Sequence, residues 1–486
     1  MNVHHYIACD LGAESGRVML GSLEGERVTL EEIHRFSNGP VSVFGSLRWD
    51  VLRIFDELKT GLGKIAARGI EVESLSCDSW GVDYVLLRGN EPMLTVPYHY
   101  RDARTDGGLE RANAVIPLDT IFAETGIQFM TINTLYQLHA DQAQRSWVLK
   151  SADRFLTIGD YFNHLFSGVS RCEESLASTT QLYNPRKHKW SKKLIRGFRF
   201  PKAIFPEVVP SGTVLGPALP ELGLAGAKVV ASCSHDTGAA VAAVPAEGRD
   251  WAYISSGTWS LLGIESKKPI LTDKARQYNF TNEVGCGGSI RFLKNIVGLW
   301  VVQECKRAWT KPGESMSYES LSEAAAQAPG LRALIRPSDP RFVKPGNMPG
   351  KIADFCRETG QPVPGDAGGT IRCALESLAL QYRQTLDQIE DITGRKIMKL
   401  HIVGGGSRNK LLNQFAANAT GRTVMAGPIE ATAAGNVLIQ AIALGHLPSH
   451  EALRHVVRNS FEVETYKPAD AELWQQAYER FQGFSK

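Results

Sequence analysis

Two short glycine runs, each set between strand-like apolar stretches, constrain this chain more than any other feature. The first reads Asp-Leu-Gly-Ala-Glu-Ser-Gly-Arg over residues 10–17, between apolar residues 6–9 and 18–20. The second reads Ser-Ser-Gly-Thr-Trp-Ser-Leu-Leu-Gly over 255–263, between apolar residues 251–254 and 261–262. Apolar runs on both sides of a glycine turn predict hairpins. Such a turn presents several backbone N–H groups to one concave point, which seats a phosphate. Asp10 adds a carboxylate able to hold Mg²⁺ through water, and Arg17 adds a charge that cannot be lost. Two such hairpins predict two similar half-structures clasping one nucleoside triphosphate. A chain so built moves phosphate.

The segments after each hairpin support a duplicated plan. In the first half, strand patterns at residues 6–9, 17–22 and 28–36 form a meander. A helix comes next, with Asp50 able to cap it and Ile54, Leu58, Leu62 and Ile65 on one face at spacings of three and four. A further strand at 72–77 completes the order of a ribonuclease-H-like half-domain. The second half restarts at Trp251. Later, a strand at 399–403 runs into Gly404-Gly405-Gly406 and a helix at about 410–420, an anion-binding arrangement of strand, glycine turn and helix N-terminus. A second helix of small residues begins after Glu430. The fold expected is α/β, two ribonuclease-H-like domains with a cleft between them. The boundary falls near residues 244–250, giving domains at 1–244 and 245–486, and the last helix of the second can return to the first. Residues 337–365, rich in Pro and Gly, read as a surface excursion.

Composition removes several function classes. At 486 residues the chain exceeds one core, and its 43% hydrophobic and 22% charged residues are those of an ordinary globular protein. A net charge of +3 gives no field that would gather nucleic acid or membrane, so neither is expected as a partner. No apolar run reaches the ~20 residues that span a bilayer. The start lacks a basic-then-apolar segment, so no signal peptide is read there. The eight cysteines contain no Cys-x-x-Cys pair, which suits reduced thiols and a cytoplasmic location. G-x-x-x-x-G-K-[ST], G-x-G-x-x-G and G-x-S-x-G are all absent. His446 and His450 stand four apart with Pro448 between them and do not read as zinc ligands.

Three further constellations carry chemistry. Ser234-His235-Asp236-Thr237-Gly238 ends an apolar strand and opens a helix of small residues. Asp236 there is either a simple cap or a carboxylate at the carboxyl end of a strand, where open α/β sheets bind ligands. Trp80-Gly81-Val82-Asp83 and Tyr100-Arg101-Asp102 each set aromatic surface beside carboxylates, which suits a polyhydroxylated ligand, though a buried tryptophan fits as well. The basic residues of 186–202, interleaved with Trp190, Phe198 and Phe200, read as a solvated loop ahead of a nucleic-acid patch.

With these residues the chain resembles the FGGY family of carbohydrate kinases, nearly end to end. The resemblance runs through residues 10–17, 78–83, 100–105, 126–129, 133–138, 160–162 and 178–182. It continues through 234–237, 255–260, 293–295, 298–300, 401–406 and 426–430. The glycine motifs are shared with the wider actin-like ATPases and imply only ATP use. Ile-Gln-Phe at 127–129, Asn-Thr-Leu-Tyr-Gln-Leu at 133–138 and Leu-Lys-Asn at 293–295 are similar to the members acting on L-rhamnulose. The resemblance implies ATP-dependent phosphorylation of that ketose at O1, with Mg²⁺. It makes Asp236 the base, puts His235 and Thr237 beside it at the sugar, and has Gly81 and Asn295 contact the sugar. It brings Ala13, Glu14, Ser15, Gly16 and Arg17, with Thr258, Gln303 and Gly404, to ATP. Trp80 and Asp83 are expected on the sugar side and Gly405 on the nucleotide side from their motifs. No cysteine pair is placed for a disulfide, and residues 183–228, the sugar-side lid, match poorly.

Phosphoryl transfer asks mainly for positioning and charge neutralisation. The rival substrates are other ketoses such as L-fuculose or L-xylulose. The rival class is a nucleotide-gated chaperone or filament protein on the same core, which would need an appended domain or assembly surface. A monomer or weak homo-oligomer is expected.

Overall fold

A computed structural model describes residues 2–89, 91–310 and 316–484. The chain divides into two compact units. The first comprises 1–245, 265–292 and 431–461; the second comprises 246–264, 293–430 and 462–486. The division at Pro245/Ala246 falls where the apolar pattern breaks. Two stretches of the second half nevertheless belong to the first unit, and the last helix, Ala471–Gly483, belongs to the second.

The first unit holds a six-stranded sheet in the order Thr213–Pro217, Lys228–Ala231, Ser74–Ser79, Val3–Leu11, Ser15–Glu24, Arg27–Ser37. The three central strands, Lys228–Ala231, Ser74–Ser79 and Val3–Leu11, run parallel, so their carboxyl ends lie along one edge. The pairs outside them are antiparallel. The strand expected at 72–77 runs instead over Ser74–Ser79, which carries Asp78 into the sheet. The helix Val51–Ala66 starts where Asp50 accepts from Arg53 N–H, and it buries Ile54, Leu58, Leu62 and Ile65. Gly61 lets it lie close to the sheet, since a Cβ there would come within 2.5 Å of Val18.

The return of 431–461 has a packing cause. The helix Ala431–Ala443 crosses Asp236–Ala242 at Gly435, where a Cβ would lie 1.9 Å from the Ala239 carbonyl oxygen. Its polar residues Asn436 and Gln440 turn toward the parallel strands: Gln440 Nε2–H donates to the Ile7 carbonyl at 3.0 Å, and Ser74 Oγ–H donates to Gln440 Oε1 at 2.7 Å. A small-residue face thus brings two amides into a buried sheet.

The second unit repeats the plan. Trp251–Ser256 pairs antiparallel with Trp259–Ser266 and parallel with Lys399–Val403, which runs parallel to Thr423–Ala426. The helix Lys410–Thr420 begins where Asn409 accepts from Leu412 N–H. Two sequence readings need correction. Residues 337–365 are no mere excursion: helices Pro340–Val343 and Met348–Glu358 bury Phe342, Met348, Ile352, Phe355 and Cys356, so apolar residues spaced among the Pro and Gly build core. The basic run at 186–202 contains the helix Lys192–Gly197, and Phe198 and Phe200 are buried, with Trp190 edge-on to Phe155. Those rings are packing surface. Cys356 and Cys373 are both buried free thiols.

Candidate functional site

The carboxyl ends of the three parallel strands of the first unit gather the acidic residues of the sequence motifs. Asp10 and Asp78 are register partners, and Ser79 makes an isolated parallel bridge to His235, just beyond the strand Lys228–Ala231. Three successive strand ends therefore deliver Asp10, Asp78 and the His235–Asp236 pair to one edge, where parallel sheets bind ligands.

Each group has a defined environment. Arg17, opposite Asp10 in the hairpin register, forms an ion pair with its carboxylate. The hairpin turn between them is closed by Gly12 N–H donating to the Ser15 carbonyl at 2.9 Å, and Asn38 Nδ2–H braces it at the Gly12 carbonyl. Gly16 is obligatory, because a Cβ would lie 2.2 Å from the Phe36 ring. Ala13, Glu14 and Ser15 line this turn. Asp78 is fully buried and accepts from Asn436 Nδ2–H at 2.5 Å, while its Oδ1 is buried with no partner. Burial, then the neighbouring Asp10, pushes the Asp78 carboxyl well above the usual carboxylate range. Burial also raises Asp236, with Asp10 adding to the rise. Its side chain is 28% exposed and accepts from the N–H and Oγ1–H of Thr237. His235 occupies the N-cap position of helix Asp236–Ala242 without a side-chain cap bond, so Asp236 stands in the first turn with its carboxylate at the helix mouth.

The aromatic cluster is larger than the sequence suggests, and it is buried, with only narrow edges of Trp80 and Tyr100 open. Trp49 and Trp80 lie with ring centroids 4.1 Å apart, Trp49 and His99 at 4.4 Å, and His99 and Tyr100 at 4.4 Å. Asp83 stands fully enclosed behind these rings. It accepts from Trp49 Nε1–H at 2.6 Å, Gln137 Nε2–H at 2.8 Å, Trp80 Nε1–H at 3.1 Å and Tyr100 N–H at 3.2 Å. Burial pushes its carboxyl to about 6. With its lone pairs engaged, Asp83 orients the tryptophans. Gly81 packs on Thr179, its Cβ position 3.0 Å from Oγ1, so its backbone stays open to close approach.

In the second unit the turn holding Thr258 is pinned to the start of helix Trp300–Trp309: Gly298 N–H and Trp300 N–H both donate to the Thr258 carbonyl at 3.1 Å. Gln303 lies on this helix with a buried Oε1 that has no partner. Gly404 has φ 85° and sits 3.2 Å (Cβ position) from the Ser256 carbonyl oxygen; a Cβ on Gly406 would fall 2.1 Å from Ser256 Oγ. Gly405 beside them has open space around its Cβ position. Asn295 lies on strand Ile290–Val297, next to Lys294, whose ammonium burial lowers to about 8.

Several functional groups have no local signature. Asp78 lies in the 78–83 motif, but nothing in its immediate sequence distinguishes it from the other acids there. Asn436, Glu283 and Arg291 reach the site from distant segments. His4, Glu73 and His446 bring metal-ligand atoms within 4.8 Å of one another. The two imidazoles are stacked at 3.8 Å, and their Nδ1 atoms already have partners, Glu73 Oε1 at 2.7 Å from His4 and the Tyr6 hydroxyl at 2.5 Å from His446.

Known proteins are similar to this chain in both sequence and fold. Residues 5–243 match the N-terminal domain of the FGGY family of carbohydrate kinases, and residues 252–444 match its C-terminal domain. A rhamnulokinase from Bacteroides thetaiotaomicron is 41% identical over 481 residues, covering 98% of each chain. One from Bacillus subtilis is 39% identical over 469 residues, covering 96% of each. Among solved structures, a ligand-bound xylulose kinase from Lactobacillus acidophilus superposes with a TM-score of 0.82 at 14% identity, covering 99% of this chain and 97% of the other. A Plasmodium falciparum glycerol kinase with ADP gives 0.80 at 14%, covering 99% and 98%. These structures share the fold, that of the actin-like ATPases. The chain belongs to the FGGY family of carbohydrate kinases.

Proposed function

We propose that this kinase transfers the γ-phosphoryl group of ATP to O1 of L-rhamnulose, with Asp236 as general base. The observation that carries the reading is the position of Asp236: a carboxylate raised by burial, partly open, at the end of a parallel strand beside a second acid. A base works best when its pKa approaches the working pH, and burial moves Asp236 that way. Full-length relatives named rhamnulokinases favour L-rhamnulose over L-fuculose or L-xylulose.

The residues divide the work. Asp236 takes the O1 proton as that oxygen attacks, while His235 and Thr237 stand beside it at the sugar. The ring stack led by Trp80 covers the C–H face of the sugar, Gly81 admits it closely, and Asn295 adds an amide contact. Backbone N–H groups of residues 12–16, with Arg17, bind phosphate oxygens. Thr258, Gln303, Gly404 and Gly405 take the rest of the nucleotide; the unpartnered Gln303 Oε1 and the open space at Gly405 fit such a ligand. The free Asp78 Oδ1 beside Asp10 fits a hydrated divalent cation. Asp10 would hold Mg²⁺ through water, and the ion would supply neutralisation of phosphate charge.

No helix among the described residues is long and apolar enough to cross a membrane. The test is mass spectrometry of products after incubation with ATP, Mg²⁺ and a mixed ketose pool. A dominant deoxyketohexose phosphate identified as L-rhamnulose 1-phosphate supports the reading; preferential phosphorylation of L-fuculose or L-xylulose overturns the substrate, and no phosphorylated ketose overturns the activity.

A further inference from the structure

We infer that Arg291 and Glu283 are positioning residues that lock His235 in one neutral tautomer, with its Nε2–H turned to the Asp236 carboxylate. This rests on the reading of Asp236 as base, but its key observable is independent of turnover.

The assignment is one of donors and acceptors. Arg291 is fully buried, and its Nη2 lies 2.9 Å from His235 Nδ1. A guanidinium has only donors, so Nδ1 must offer its lone pair. The ring proton then belongs on Nε2, which faces Asp236 Oδ1 at 3.4 Å. Glu283, also buried, balances the cation: its Oε2 is 3.2 Å from Arg291 Nη2. The same oxygen lies 3.3 Å from His235 Nδ1, longer than the arginine contact. The groups facing the imidazole are thus a cation donating to one nitrogen, a carboxylate compensating that cation, and the base itself at the other nitrogen.

The surroundings hold this arrangement. Arg291 Nε and Nη2 donate to the Val284 carbonyl at 3.3 and 3.2 Å. Gly238 and Gly285 leave room for its side chain; Cβ positions there lie 3.5 Å from Nη2 and 3.1 Å from Cγ. Ser175 Oγ accepts from His235 N–H at 3.0 Å, fixing the backbone beneath the ring. Keeping His235 neutral matters because a positive imidazolium would hold Asp236 ionised and weaken it as a proton acceptor.

The experiment is two-bond proton–nitrogen correlation NMR on the full chain labelled with ¹⁵N-histidine, with the His235 signals assigned by their loss in His235→Gln. The expected result at pH 7 is a single tautomer, with Nδ1 at an imine-type and Nε2 at a pyrrole-type shift. Protonated Nδ1, or averaging between tautomers, overturns the inference. In Arg291→Gln the signals should average or become imidazolium-like, and kcat should fall ~10- to 10²-fold, short of the ~10⁴ that a wrong tautomer costs where imidazole itself carries the proton. Arg291→Lys, a donor-only cation, should restore much of both. An Arg291→Gln spectrum identical to the native one overturns the inference; if that variant does not fold, the native spectrum decides alone. An active Asp236→Asn enzyme with the expected nitrogen spectrum would sink the base reading and leave the tautomer assignment standing.

Discussion

Asp10 and Asp78 are register partners on adjacent parallel strands, and Asp78 keeps one buried carboxylate oxygen without a hydrogen-bond partner. Burial first, and then the repulsion between two acids so placed, raises the Asp78 carboxyl. A cation relieves the repulsion. Asp10→Asn keeps an oxygen for Arg17 and removes the charge that favours Mg²⁺. Turnover should fall ~10²-fold or more, several kcal/mol of charge stabilisation. Ketose affinity by calorimetry should be nearly intact; its loss would make Asp10 structural.

Asn436 satisfies the other oxygen of Asp78, so its amide is worth more than a surface contact. Asn436→Ala should cost about 1.5–3 kcal/mol in chemical denaturation, the range for a hydrogen bond to a charged group. Asn436→Asp should be worse at pH 7 and should recover in acid, because a proton shared between the two carboxylates restores a hydrogen bond. Equal stability of Asn436→Asp and the native chain at pH 7 would show that Asp78 is protonated there.

The His99 ring supplies a pH prediction. Burial, then Arg101, lowers it from 6.5 to about 3, and its Nδ1 accepts from Arg101 N–H. The unfolded chain therefore binds a proton that the folded one refuses, so this group's contribution to stability is lost as pH falls from 6.5 toward 3. Asp83, raised from 3.8 to about 6, acts oppositely: its penalty is full above 6, shrinks as pH falls below 6 and is gone below 3.8. Comparing variant with native chain separates the two. His99→Asn, which keeps an acceptor for Arg101 N–H, should lose less stability between pH 6.5 and 4.5 than the native chain does. A parallel loss in both would place the acid sensitivity elsewhere.

The hairpin at Asp10–Arg17 and the strand-to-helix turn at His235–Asp236 are legible in the sequence because their signals are local: a glycine turn, an apolar run, a polar residue at the junction. The parallel placement of Asp78 is not, since its strand begins two residues later than the apolar pattern indicates. Asn436, Glu283 and Arg291 are hidden for a different reason. They reach the first unit through stretches 265–292 and 431–461, and the tight packing of Gly435 on Ala239 that seats one of them leaves no pattern in either segment alone. The Pro- and Gly-rich residues 337–365 mislead through composition, because the apolar residues among them are few and yet are buried by two helices.

Asp236 carries the central claim, and one substitution divides the two roles open to it. As no more than an acid in the first turn of helix Asp236–Ala242, Asp236 could be replaced by asparagine with little effect on turnover. As the base, the same change removes proton acceptance and keeps the shape, including an oxygen for Thr237. The decisive measurement is kcat of Asp236→Asn with L-rhamnulose and ATP, beside its melting temperature. A fall of ~10²–10⁴ in kcat, about 3–5 kcal/mol of barrier, with a melting temperature close to native is the predicted result. Near-native turnover at unchanged melting temperature would contradict it.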